Sequence, residues 1–191
     1  MPNDNPLGER GRALEDEYFR RVDRELLDRA RRTSVLDDER RELGALTGLQ
    51  VRDVEALQAQ GFSPDTVALL PLVPLVQVAW AEGRVGDHER TMIVRLARAR
   101  RIMEGSPADQ QLEAWFSKAP RREVFTGASR LVGAMLEGPA SVVDGLTADE
   151  LMEHCEQIAA ASGGFLGLGR VGAEERALLT TIAHDLKGPT G

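Results

Sequence analysis

A chain of 191 residues, 42% hydrophobic and 29% charged, is long enough to bury the core of one domain, or of one domain with an appended element. Two tryptophans, one tyrosine and five phenylalanines leave that core to Leu, Val, Ile, Ala and Met, which argues for helix-on-helix packing and against an aromatic-rich β-sandwich. The net charge of −7 excludes a general nucleic-acid binder, which needs an excess of Lys and Arg to neutralise phosphates. The single cysteine, Cys155, excludes an intramolecular disulfide or a thiolate cluster and points to a reducing, cytoplasmic setting. The opening MPNDNPLGER has no basic stretch followed by an apolar run, so no secretory signal is expected.

The first nine or so residues, with Pro2, Pro6 and Gly8, are expected to be disordered. From Glu9 to Arg32 the residues Leu14, Tyr18, Val22 and Leu26 recur every fourth position, which predicts a long amphipathic helix. Acid-before-Arg pairs such as Glu25 with Arg29 and Asp28 with Arg32 lace its polar side and support it by about 0.2–0.5 kcal/mol each. Residues 1–34 therefore form a start and a helical arm. Residues 35–62 form a connector of two short helices, 37–47 and 51–60, punctuated by Gly48 and Gly61. A bundle is expected over 63–187, with a tail at 188–191.

Within the bundle, Ser63-Pro64 reads as an N-cap and first helical residue. The stretch VALLPLVPLVQVAWA from Val67 is too short and too interrupted to span a membrane. Pro71 should end one helix and Pro74 open the next, leaving 75–81 as a buried helix. Met92, Ile93, Leu96, Ala99 and Met103 make a further stripe. Ser106-Pro107 starts a helix with Leu112, Trp115 and Phe116, and Pro120 one that reaches Leu136. Thr147 with Glu150 forms a capping box ahead of a helix through Cys155 and Ile158. A glycine-rich run, GGFLGLGRVG, precedes a last helix with Leu178, Leu179, Ile182 and Leu186. No segment alternates with period two, so the chain reads as all-α.

Two segments repeat. Arg84-Val85-Gly86 through Glu89-Arg90 matches Arg170-Val171-Gly172 through Glu175-Arg176, each after an Ala-rich helix and a glycine turn. This is a duplicated helix-turn-helix hairpin, with Gly86 and Gly172 at the N-cap and Glu89 and Glu175 at N3, where a carboxylate meets free amides. Val85 and Val171 are expected to plug the core. The run Ala79-Trp80-Ala81-Glu82-Gly83-Arg84-Val85 to Glu89 resembles the Ala-Asp-Gly-x-Val/Ile hairpin of TerB-like proteins, the bacterial tellurite-resistance family, over about residues 63–187. The resemblance implies a pseudo-symmetric helical bundle with an acidic, divalent-metal-binding surface. It also implies a non-enzymatic, cytoplasmic, partner-binding role in a stress-response assembly near the membrane.

The residues themselves exclude a calcium EF-hand. The first, third and fifth loop positions are Val78, Trp80 and Glu82 in one hairpin and Gly164, Leu166 and Leu168 in the other, where oxygen ligands are required. They leave a weak divalent-cation site on Glu82, Asp87 and Glu89. His88, His154 and His184 share no zinc spacing. No Ser stands in a nucleophile elbow, Cys155 lies on an apolar stripe, and no catalytic residues are assigned. Residues 84–101 carry a local charge of +4 against the acidic background. There Arg95, Arg98 and Arg101, spaced by three, form the candidate docking face for an acidic protein partner or lipid headgroups, with Phe165 and Leu166 as an apolar contact loop. A homo-oligomer is compatible with this arrangement.

Overall fold

The computed structural model describes residues 6–162 and 172–187. Described residues form helices and no strand, in agreement with the all-α reading. Eight α-helices run in order: α1 (Pro6–Thr47), α2 (Val51–Gln60), α3 (Val73–Ala79), α4 (Asp87–Ala99), α5 (Pro107–Ser117), α6 (Arg122–Leu136), α7 (Ala148–Ser162) and α8 (Ala173–Leu186). Two 3-10 segments, Val67–Leu72 and Ser141–Val143, precede α3 and α7. The glycine run with Phe165, Leu166 and Val171, and the expected tail, lie outside the described residues.

The chain divides into two compact units at Glu39/Arg40. In the first, α1 already runs at Pro6, so part of the expected disordered start is helical. Among its described side chains from Arg20 to Glu39 none is buried. Leu26 and Leu27 are more than half exposed, as are Val35 and Leu36. Leu26, Leu27, Val35 and Leu36 point to all sides of a helix at about 100° per residue, so these four apolar side chains share no single face. Asp28 pairs with Arg31 at 3.8 Å, while Arg32 donates to the Asp28 carbonyl in place of the expected carboxylate pair. The boundary predicted near residue 34 is not a break in the helix, which continues to Thr47.

The second unit holds the core. Leu43 from the last turns of α1, Val54 and Leu57 from α2, and Leu69, Leu70 and Leu72 from the first 3-10 segment are buried. The proline-interrupted stretch departs from expectation at its start. Ser63 gives its N–H to Thr66 Oγ1 at 2.9 Å, forming a turn, and Val67–Leu72 winds as a 3-10 helix around Pro71. Pro71 has no N–H to give, and the tighter i→i+3 winding suits short pieces of this kind. The buried helix that follows is α3, with Val73, Leu75, Val76 and Val78 all inside. Complete burial of each such side chain contributes about 1.5–3 kcal/mol. Helix α3 packs on α6 and α7, and α6 and α7 pack on α8. Helix α6 is kinked rather than straight: Gly127 has φ 147° and Thr126 ψ 65°, a break that glycine tolerates without steric cost.

Helix α4 ends earlier than the stripe to Met103 suggests. Ile102 N–H reaches the Ala97 carbonyl at 3.0 Å, and Arg101 N–H the Arg98 carbonyl at 3.0 Å, a Schellman-type end. It places Arg101 at φ 63°, where it is the only non-glycine residue with positive φ among the described residues. Ile102 is thereby buried and Met103 left exposed.

Candidate functional site

The two repeated segments open α4 and α8 in the same way. Gly86 N–H donates to Glu89 Oε2 at 2.6 Å, and Gly172 N–H to Glu175 Oε2 at 2.7 Å. With glycine at the N-cap only the N3 half of a capping box forms, because the cap has no side-chain oxygen. Glycine is favoured there by space: a Cβ on Gly86 would stand 3.1 Å from Glu89 Oε2. Both glutamates are 4% exposed, an uncommon depth for a carboxylate. Val85 is half-buried against the core, as its plugging role predicts.

Burial pushes the Glu89 carboxyl above its ordinary value. The Gly86 N–H opposes that rise, the negative charges of Glu82 and Glu175 add to it, and Arg84 lowers it. Its second oxygen, Oε1, is buried with no hydrogen-bond partner. The N-terminal ends of α4 and α8 thus bring two carboxylates into each other's field, one with an unused acceptor. Because the folded chain holds the Glu89 proton more tightly than the unfolded chain does, the stability linked to this group is complete below the unfolded-state value near 4.5. It is lost as pH rises through the folded value. The expected result is a urea midpoint for Glu89→Gln that gains on the wild type as pH rises above about 4.5; curves that stay parallel from pH 4 to 8 would refute the shift.

The other predicted metal residues do not join Glu89. Glu82 and Asp87 are exposed, and no three of His, Cys, Asp and Glu among the described residues gather into a metal-holding group. At about 100° per residue, side chains two positions apart on a helix diverge by about 200°, which separates Asp87 from Glu89. Cys155 is fully buried, its thiol pushed up to about 12 by burial, with Glu156 adding to the rise, so it stays an un-ionised core residue at neutral pH.

The arginine face is redistributed by the fold. Arg95 is exposed and forms no ion pair among the described residues. Arg98 is committed internally: Nη2 meets Asp109 Oδ1 at 2.7 Å and Nη1 the Ile102 carbonyl at 2.9 Å. The spacing of three does not carry through to Arg101, which lies beyond the end of α4 in a left-handed conformation. Arg90 pairs with Glu113 and lies over the Phe116 ring, 5.6 Å from its centroid, within cation–π range. Phe165 and Leu166 fall outside the described residues.

Two residues not singled out as binding groups stand out in the structure, Arg100 and His154. Both line a cleft of about 600 Å³ bounded by the 3-10 segments, α3, the end of α4 and α7, and both keep a buried nitrogen without a partner, Arg100 Nε and His154 Nδ1. The signal in the sequence is slight: Arg100 is one of a run of arginines, and its burial depends on where α4 stops. No helix among the described residues is long and apolar enough to cross a membrane. Set against protein-family models, curated proteins and solved structures, the chain matches none.

Proposed function

We propose that this chain is a non-catalytic, TerB-like helical interaction module that serves a cytoplasmic stress-response assembly of the tellurite-resistance type, associated peripherally with a membrane complex. The observation that carries the reading is the matched start of α4 and α8, where Glu89 and Glu175 each take up an N-cap glycine N–H and are buried. Glu89 is the last residue of the run, beginning at Ala79, on which the family resemblance rests. A module of this kind acts by presenting a surface to a protein partner. Affinity capture with the full chain and with a chain starting at Ser34 tests it. Recovery of the same specific partner by both places recognition in the bundle, and loss on truncation places it in the arm. Recovery of no specific protein by either would end the module reading.

A second reading, a divalent-cation-responsive sensor, is favoured by one observation: the unpartnered, buried Glu89 Oε1 lies in the field of Glu82 and Glu175. A bound cation would relieve that like-charge repulsion and use the free lone pairs. Calorimetric titration of the full chain with calcium, manganese and zinc is the test. Saturable binding below millimolar concentration that Glu89→Gln abolishes supports the sensor, and no such binding removes it.

A further inference from the structure

The cleft between the end of α4 and α7 has the chemistry of a ligand site. Its floor is apolar, from Leu72, Leu75, Leu96 and Leu151, and one wall carries Arg100 and Arg101. A half-buried guanidinium is normally matched by a carboxylate. Arg100 forms no ion pair among the described residues. Its Nη2 donates to the Val142 carbonyl at 2.5 Å, its Nε is buried without a partner, and burial alone lowers its pKa. His154 also lines the cleft, its ring nitrogen Nδ1 buried without a partner. Arg100 and His154 line one cavity of about 600 Å³, within the range of small-molecule sites, and an occupant with a negatively charged head would give the guanidinium the counter-charge it lacks.

Arg101 adds a separate observation. A left-handed residue in a Schellman-type helix end is ordinarily glycine, since any side chain there is strained. Arg101, at φ 63°, is such a strained residue, and it brings a second guanidinium to the cleft lining. The acidic lining limits the charge of the occupant. Glu150 is engaged with the Thr147 N–H and hydroxyl, and Glu153 accepts from Gln157. Asp144 is exposed. Together these carboxylates disfavour a dianion or polyanion, and the leucine floor disfavours a bare ion.

We propose that this cleft binds a small amphiphilic carboxylate, its head held by Arg100 and Arg101 and its apolar body laid on Leu72, Leu75, Leu96 and Leu151. The site is separate from the N-terminal ends of α4 and α8 that carry the cation reading, and it does not depend on that reading. Calorimetric titration of the full chain with octanoate, 1-octanol and inorganic phosphate tests it. Octanoate is expected to bind at least tenfold more tightly than either of the others, since each of them offers only half of the recognition. Octanol binding as tightly as octanoate would reduce the cleft to an apolar patch. Phosphate doing so would reduce it to a general anion patch, and either result, or no octanoate binding, overturns the proposal. Arg100→Gln is expected to weaken octanoate about tenfold or more, but it also releases the Val142 carbonyl. Arg101→Gly provides the independent arm: it should weaken octanoate several-fold while raising Tm, because glycine removes the strain along with the cation. An arginine with a purely structural role would leave octanoate affinity unchanged, and that result would overturn the assignment.

Discussion

Asp109→Ala is expected to cost the fold about 3 kcal/mol and to lower Tm by roughly 6–12 °C. Asp109 is 6% exposed and stands at N3 of α5, whose N-cap Ser106 accepts from its N–H at 3.2 Å. Its carboxylate takes the Gly105 N–H at 2.8 Å and Arg98 Nη2 at 2.7 Å, so one side chain joins the end of α4 to the start of α5. Truncation leaves Arg98 without its counter-charge and the Gly105 amide without its acceptor. Removing one partner of a fully buried pair costs about 3–5 kcal/mol; Arg98 is 34% exposed, and water recovers part of that. The Gly105 N–H, the Arg98 hydrogen bond and the Arg98 charge hold the Asp109 carboxyl below its ordinary value against the opposing effect of burial. Its stabilisation is therefore present above the unfolded-state pKa and disappears as pH falls through the folded value. Urea denaturation at pH 7 and pH 3 checks both claims: the gap between wild type and variant should be near its full size at pH 7 and shrink at pH 3. A gap under 1 kcal/mol at pH 7 would show that Arg98 finds other partners.

Gly133→Ala should lose about 2 kcal/mol, against the direction set by helix propensity. In an open helix the same change gains about 1 kcal/mol. At Gly133, however, an added Cβ would lie 2.6 Å from the Leu186 carbonyl oxygen and 3.0 Å from that of Asp185. Both obstacles are backbone, so relief requires moving the last turn of α8, which carries the buried Ile182 and Leu186. Overpacking of this kind costs about 1–3 kcal/mol and here exceeds the propensity gain. Gly44→Ala in α1 is the control, since its Cβ would meet only Val54 Cγ2 at 4.0 Å. Thermal unfolding of the two variants should move in opposite directions, and a Gly133→Ala protein as stable as the wild type would mean that α6 and α8 are not packed this closely.

Several elements were legible because their signals are local. Ser106-Pro107 at the start of α5 and Thr147 with Glu150 ahead of α7 are read from four adjacent residues, and both caps form as expected. The N3 glutamates after Gly86 and Gly172 belong to the same class. The signals that failed were those whose outcome depends on distant packing. Ser63-Pro64 carries a helix-start pattern, yet the following residues wind as a 3-10 helix under the buried Leu69 and Leu70. The spacing of Arg95, Arg98 and Arg101 describes one face only while the helix persists, and α4 stops at Ala99.

The same distinction separates the candidate sites. Composition and helical periodicity by themselves determine that the chain is all-α, where most of its helices lie, and that two hairpin helices begin with glycine and a glutamate three residues on. These follow from hydrogen bonds and apolar stripes within a few turns of chain. Only the tertiary structure decides that Glu89 and Glu175 enter one another's field, that Asp109 consumes Arg98, and that Arg100 is drawn into a cleft beside His154. Burial and charge pairing depend on what lies opposite a side chain. For Arg100 that is α3, Val142 and α7, the last two more than forty residues further along the chain.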